Sequence, residues 1–238
     1  MFSFNKYIHR VKPLVTVFFL YFSFCNSAIK AQTFELGAAL GMSIYQGDLS
    51  EDKINFKGAA PAYGAFVRYN INERFSVSGN FNSGKLNGSD SNSSDPGIRI
   101  RGFELHSNLK ELAFLCEFNI LPVNSRQHKY GFFTHRFSPY IFAGVALATT
   151  DGTPTAPADR IPYPFPEKGT KNAFIAIPFG LGLKVQLTED INTGFDFGWR
   201  PTLSDYLDGV SQNGNPNRND WYFFSGIKIS YLLDFKNR

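Results

Sequence analysis

Cysteine is almost absent from this chain. Cys25 lies inside an N-terminal apolar stretch, so Cys116 alone remains beyond it and no internal disulfide can staple the body of the protein. A lone thiol invites a redox reading; a small apolar side chain on an outward strand face is the simpler assignment for Cys116. Long apolar runs are also missing: past the N-terminal stretch nothing reaches the ~18 residues of a membrane helix. There is no phosphate loop, no dinucleotide fingerprint and no Cys/His spacing suited to zinc, so no cofactor is expected. Histidine is scarce too. His106, His128 and His135 lie beyond the N-terminal stretch, and only His106-Ser107 places a base beside a nucleophile. Adjacent strand residues point to opposite faces, so that pair cannot cooperate, and the chain does not read as an enzyme. Asp48, Glu51, Asp52, Asp205 and Asp208 have the chemistry of calcium ligands, but acids in loops of this kind read as solvated or turn-forming, and no metal is expected.

An excess of acid is likewise lacking; the formal net charge is +4 and the pI about 9.0. That excess does not indicate nucleic acid, because it is confined to one end. Residues 1–31 hold Lys6, Arg10, Lys12 and Lys30 and no acid; without them Lys+Arg falls from 24 to 20, against 20 Asp+Glu. A basic segment, an apolar stretch over residues 14–24 and Ser27-Ala28-Ile29-Lys30-Ala31 form a secretory signal, with cleavage expected after Ala31. Phe22-Ser23-Phe24 before Cys25 lacks the small residues of a lipoprotein signal. The expected organisation is a signal peptide over 1–31 and one domain over 32–238.

What the chain does have is alternation of period two, sustained over long stretches. It is clearest near the C-terminus, where Ile191, Thr193, Phe195, Phe197 and Trp199 oppose Asn192, Gly194, Asp196, Gly198 and Arg200. After a polar loop, residues 221–233 repeat it. Working from the N-terminal side, the pattern predicts strands over 33–45, 63–71, 75–82, 108–120, 139–148 and 173–187. With the closing pair that makes eight. Residues 84–97, rich in Ser, Asn, Asp and Gly, read as a flexible loop. The small apolar residues of the fifth strand leave its facing open. Pro178 inside the sixth predicts a bulge. The connections run long, short, long, medium, long, short, long.

Eight strands of this length, with connections graded in this way, predict an all-β fold: an eight-stranded antiparallel transmembrane β-barrel with long extracellular loops. A soluble sandwich would alternate too, but requires neither feature. The inward positions collect Glu35, Arg68, Glu111, Glu117, Lys184, Asp196, Arg200 and Lys228, four acids and four bases. Charges in so narrow an interior must be paired, so they are expected to form a packed ion network in a barrel that does not conduct. Tyr63, Trp199, Trp221 and Tyr231 near strand ends are expected to meet the lipid headgroups.

Several blocks carry a family likeness. Phe34-Glu35-Leu36-Gly37, Tyr45-Gln46-Gly47-Asp48-Leu49, Ser138-Pro139-Tyr140, Ile177-Pro178-Phe179-Gly180, the run from Arg200 through Asp205-Tyr206-Leu207-Asp208 to Ser211, and Asn219-Asp220-Trp221-Tyr222-Phe223 resemble the PorG-type outer-membrane barrel proteins of Bacteroidota. The resemblance implies residence in the outer membrane among its lipids. It also implies an accessory role in the type IX protein secretion system, beside a periplasmic ring of the PorK and PorN type. If the N-terminus is periplasmic, strand parity places residues 121–138 there as well. Arg126, Lys129, Tyr130, Phe133 and Arg136 in that basic, aromatic connection are the expected partner-facing residues. Two other functions fit the same chain: a structural or adhesive barrel acting through its outer loops, and a lipid-modifying barrel enzyme.

Overall fold

A computed structural model of the chain describes residues 33–46, 58–92, 96–122, 137–152, 154–155, 157, 172–203, 207 and 220–233. They form strands β1 (Thr33–Gln46), β2 (Ala60–Asn70), β3 (Phe75–Ser89), β4 (Glu104–Asn119), β5 (Phe137–Thr150), β6 (Asn172–Ala176), β7 (Phe179–Gln186), β8 (Ile191–Pro201) and β9 (Trp221–Leu233). A 3-10 turn (Asp90–Asn92) and a short α-helix, α1 (Pro96–Arg101), lie between β3 and β4. All pairings are antiparallel, in the order β4-β3-β2-β1-β9-β8-β7-β5-β6, and a β4–β5 pairing closes the ring. Closure matters because an open edge in lipid would leave a row of backbone groups without partners.

β6 and β7 are one stave. Both pair with β5, and Ala146↔Ala176 and Ala143↔Phe179 keep a single register across Ile177 and Pro178. The bulge expected at Pro178 is therefore absent, since no residue is inserted. Proline removes one donor and the ladder carries on around it, with Gly144 N–H donating to the Pro178 carbonyl at 2.9 Å and Ile177 N–H to the Pro201 carbonyl at 3.0 Å. The nine strand segments thus make eight staves.

The stagger of the barrel follows from the register. Thr33 pairs with Asn70, Asn70 with Ser76, Ser76 with Glu117 and Glu117 with Phe142. Phe142 then pairs with Gly180, Gly180 with Gly198, Gly198 with Phe224, and Phe224 with Ser43. One circuit from Thr33 returns to Ser43, ten residues further along β1. Eight staves with a stagger of ten give a strand tilt of about 40° and a backbone radius of about 8 Å. A lumen that narrow is filled by its own side chains. Crowding shows where the first and last strands meet, at Gly41 and Gly226, since a Cβ on Gly226 would meet the Gly41 Cα at 2.9 Å.

The outer wall is apolar and uncovered. Leu40 is 71% exposed, and Leu36, Leu112, Phe114, Ile141, Val145, Leu181, Ile227 and Ile229 are exposed around the ring. A belt of this kind on a closed antiparallel ring is a lipid-facing surface, and the fold is a transmembrane β-barrel. Two short turns mark one end. Asn72 Oδ1 accepts from Arg74 and Phe75 N–H at 2.9 and 2.8 Å in the first, and Thr188 Oγ1 accepts from Ile191 N–H at 3.0 Å in the second. Thr33 and Leu233 lie at this turn end, as do the residues that enter and leave the connection between β4 and β5. The other four connections, β1–β2, β3–β4, β5–β6 and β8–β9, leave from the opposite, loop end.

The loop end departs from expectation. Residues 84–89, read from composition as loop, continue β3, and β4 begins at Glu104, so the β3–β4 hairpin stands beyond its neighbours. Ser89 pairs with Glu104, and Asp90 closes the turn by accepting from Phe103 N–H at 2.9 Å. The inward side of the hairpin is apolar: Leu86, Phe103, Leu105 and Leu109 are fully buried together with Tyr45 and Leu207. Asp220 holds the last of these, accepting from Leu207 N–H at 3.0 Å. The barrel is therefore charged inside near its turn end and apolar inside at its loop end. The facing of β5, open in the sequence, is settled by the ring: Tyr140, Phe142, Ala146 and Ala148 point in, and Ile141, Val145 and Leu147 point out.

Candidate functional site: the barrel interior

Strand parity delivers all eight charged residues singled out above to the lumen, where they fall into three groups, each neutral in itself. Nearest the turn end, Arg68 from β2 reaches Glu35 of β1 with Nη1–Oε2 at 2.7 Å and Glu117 of β4 with Nε–Oε2 at 2.9 Å. The second contact is close without being aligned as a hydrogen bond. Lys184 from β7 adds an Nζ–Oε2 contact to Glu117 at 2.8 Å. Two acids and two bases balance there. In the middle, Asp196 of β8 pairs with Lys228 of β9 and accepts from the Tyr140 hydroxyl. Toward the loop end, Arg200 Nε donates to Glu111 Oε2 at 3.2 Å, and the Tyr222 hydroxyl donates to the same oxygen at 2.6 Å.

Neutral donors complete these shells. Glu35 also accepts from Asn70 Nδ2 and Ser230 Oγ, each at 2.8 Å, Glu117 accepts from Ser78 Oγ at 3.0 Å, and Glu111 accepts from Asn82 Nδ2 at 2.8 Å. Asn119 accepts from Lys184 at 3.0 Å. Aromatic faces cover the cations: Phe66 lies under both Arg68 and Lys228 at 4.9 Å, Tyr140 under Lys184 at 4.6 Å and Phe224 under Arg200 at 5.1 Å. A buried charge is tolerated only when its remaining lone pairs and protons are met in this way. Ser78, Asn80, Asn82 and Tyr222 are visible as inward residues in the alternation. Tyr140 is not, because its strand does not declare a face.

The Glu111–Tyr222 bond decides what the lumen can do. β4 and β9 are four staves apart in a ring of eight, so this contact joins opposite walls. A half-open pocket of about 40 Å³ adjoins the middle and upper groups, its lining including Asn80, Asn82, Leu115, Asp196, Arg200 and Lys228 together with Leu40 and Tyr63. It has room for about three water molecules.

His106 and Ser107 lie in β4 on opposite faces, His106 exposed with Nδ1 3.0 Å from Asn87 Oδ1, and Ser107 buried, accepting from Gly152 N–H at 2.9 Å. Cys116 is exposed on the outer wall. Trp199 and Trp221 join Phe179, Phe197 and Phe223 in a continuous aromatic cluster outside β7–β9, while Tyr63 and Tyr231 stand singly on the outer wall. No group of three His, Cys, Asp or Glu side chains suited to a metal occurs among the described residues. Asp48, Glu51, Asp52, Asp205 and Asp208 lie outside those residues, and so do Arg126, Lys129, Tyr130, Phe133 and Arg136.

A family model described as a domain of unknown function (DUF6089) matches residues 12–237, and the chain belongs to that family. No curated protein matches it. Among solved structures, it is similar to the N-terminal β-barrel domain of Pseudomonas aeruginosa OprF, at 15% identity and a TM-score of 0.46, over 85% of this chain and 98% of that one. It is similar to Ail, the attachment invasion locus protein of Yersinia pestis, at 10% identity and a TM-score of 0.47, over 85% and 99% of the two chains. A major outer membrane protein from Thermus thermophilus matches at 11% identity and a TM-score of 0.46, over 85% and 100%.

Proposed function

We propose that this DUF6089 member is a non-enzymatic, non-conducting barrel of the outer membrane, exported by its N-terminal signal, that serves as an accessory component of the type IX protein secretion system. The observation that carries the first half is the Glu111–Tyr222 bond across the lumen, set above a neutral, fully paired group of four charges. A path for ions would have to break that bond and part charges buried in a low dielectric. A barrel that transports nothing acts through its ends and its outer wall.

The second half rests on the resemblance to PorG-type barrels, above all the Asp205-Tyr206-Leu207-Asp208 block, with Leu207 buried at the loop end. In this reading the connection containing Arg126, Lys129, Tyr130, Phe133 and Arg136 faces the periplasm and docks a ring of the PorK and PorN type. The test is deletion of the gene in its native host, followed by assay of proteins carrying the type IX C-terminal signal. Periplasmic retention of that cargo, reversed by the wild-type gene but not by charge reversal at Arg126, Lys129 and Arg136, is expected. Normal secretion from an intact envelope would refute the secretion role. Steady conductance of the purified protein in a planar bilayer would refute the closed lumen.

A second reading has its own observation. The β3–β4 hairpin stands beyond the other strands at the loop end with a buried apolar underside, a form suited to contacts outside the cell. Removal of residues 86–107 that abolished surface attachment and spared secretion would favour a structural or adhesive barrel.

A further inference from the structure

The outward-facing strand positions are almost free of formal charge. Among the described residues only Lys85, Glu104 and Lys110 break that rule, and all three lie on the β3–β4 hairpin. Glu104 sits at the far tip. The two lysines sit at the border of the apolar belt. Phe81 pairs with Leu112, the last outward apolar residues of this hairpin, exposed at 47% and 63%. The next outward pair is Ser83↔Lys110, and the one after it is Lys85↔Asn108.

At the rise and tilt of these strands, Lys110 lies about 5 Å and Lys85 about 10 Å beyond the belt along the barrel axis. The headgroup layer is about 5–8 Å deep, so Lys110 lies within it and Lys85 just beyond it, within reach of a lysine stem folded back toward the belt. The two lysines are diagonal neighbours across one antiparallel pair, close enough for both to reach one anion. Both are exposed, and neither forms an ion pair with a described residue. Ser83 and Asn108 flank them as polar neighbours. Asn108 is itself engaged, its N–H and Nδ2 donating to Asp151 at 2.9 and 3.1 Å, which puts an acid at the outer margin of the patch. On the neighbouring staves Tyr63 lies opposite Ser83 and Thr149 opposite Lys110, so hydroxyl groups border the patch and the two lysines supply its positive charge.

We infer that Lys85 and Lys110 form a lateral binding site for the phosphorylated headgroups of lipids surrounding the loop end of the barrel. A lysine whose stem lies along apolar surface while its ammonium reaches into the headgroup layer is placed for this contact. The inference rests on the membrane-spanning reading, with the loop end in the leaflet that carries phosphorylated lipid A.

The test uses the full chain without its signal, refolded into phosphatidylcholine vesicles with or without lipid A, and follows thermal unfolding by the gel shift of the folded barrel. Lipid A is expected to raise the unfolding midpoint of the wild type by about 4–8 °C, from two lysines each contributing at the membrane surface. The Lys85→Gln/Lys110→Gln variant is expected to lose most of that rise, and Lys85→Arg/Lys110→Arg to keep it. An equal rise in the glutamine variant overturns the site while leaving the barrel reading intact. An equal rise from inorganic phosphate in plain phosphatidylcholine vesicles overturns the lipid as the source. Failure of the wild type to insert into vesicles of either composition overturns both the site and the membrane reading.

Discussion

Replacing Glu117 by glutamine tests the interior most directly. Glu117 is the acid shared by Arg68 and Lys184, and its side chain is 1% exposed. Glutamine preserves the volume and can still accept from Ser78, which donates to Glu117 at 3.0 Å. What it removes is one negative charge, leaving Arg68, Lys184 and Glu35 with a net charge of +1 in a sealed group. Removing one partner of a buried ion pair costs about 3–5 kcal/mol, and the retained Ser78 contact argues for the lower end. For a domain of this size, a loss of about 3 kcal/mol moves the urea midpoint down by roughly 1–1.5 M. The assay is urea unfolding in lipid vesicles, followed by the gel shift between folded and unfolded forms. The decisive variant is Glu117→Gln/Lys184→Met, which restores neutrality. It should be more stable than the sum of its single changes predicts, with a coupling of about 2 kcal/mol or more. A midpoint shift for Glu117→Gln below about 0.3 M, or strict additivity in the double variant, would show that water already screens these charges and that the lumen is not closed around them.

Three further predictions address other parts of the fold. Cys116 lies on the outer wall with Phe114 and Phe118 on either side of it along β4; in vesicles it should react with a lipid-soluble maleimide and resist a charged one, and equal labelling by both would deny that this face meets lipid. Pro178→Ala returns one ladder donor, a gain of about 1 kcal/mol offset by the greater freedom of the unfolded chain, so stability should change by less than about 1 kcal/mol; a loss of 2 kcal/mol or more in urea unfolding would mean that the stave needs its interruption. Asp220→Ala removes the acceptor of Leu207 N–H and should cost about 1–3 kcal/mol; limited proteolysis should then cut near residue 207 faster than in the wild type, and an unchanged cleavage rate would show that the bond does not hold this segment down.

How much of this was legible in the sequence depended on contrast between the two faces of each strand. Where one face meets lipid and the other meets buried ions, as along Phe195, Phe197 and Trp199 against Asp196 and Arg200, a period of two is unmistakable. β5 offers Ala143, Gly144, Ala146 and Ala148 on both faces, and only the position of its neighbours decides that Tyr140 points at Asp196. The extension of β3 was hidden for a different reason. Gly84, Asn87, Gly88 and Ser89 have the composition of a loop, and they are held in a strand by residues 104–109, which pair with them from the next strand. Local propensity lost there to cross-strand pairing.

The charges show where sequence reasoning stops for a geometric reason. Parity alone sends all eight inward, but it cannot say which acid meets which base, because the stagger of ten places partners at different positions on different staves. Arg68 reaches Glu117 two staves away, and Lys184 reaches the same acid from two staves on the other side. Glu111 meets Tyr222 on the opposite wall. These pairings are possible only at the radius set by eight staves and this stagger, since extra staves would widen the lumen beyond the reach of a glutamate and a tyrosine. Ion pairing and barrel width are therefore one constraint rather than two. A substitution that keeps the lumen neutral, without changing the strand count, should leave the barrel closed by its remaining side chains, whereas one that unbalances the charges weakens the wall and the plug together.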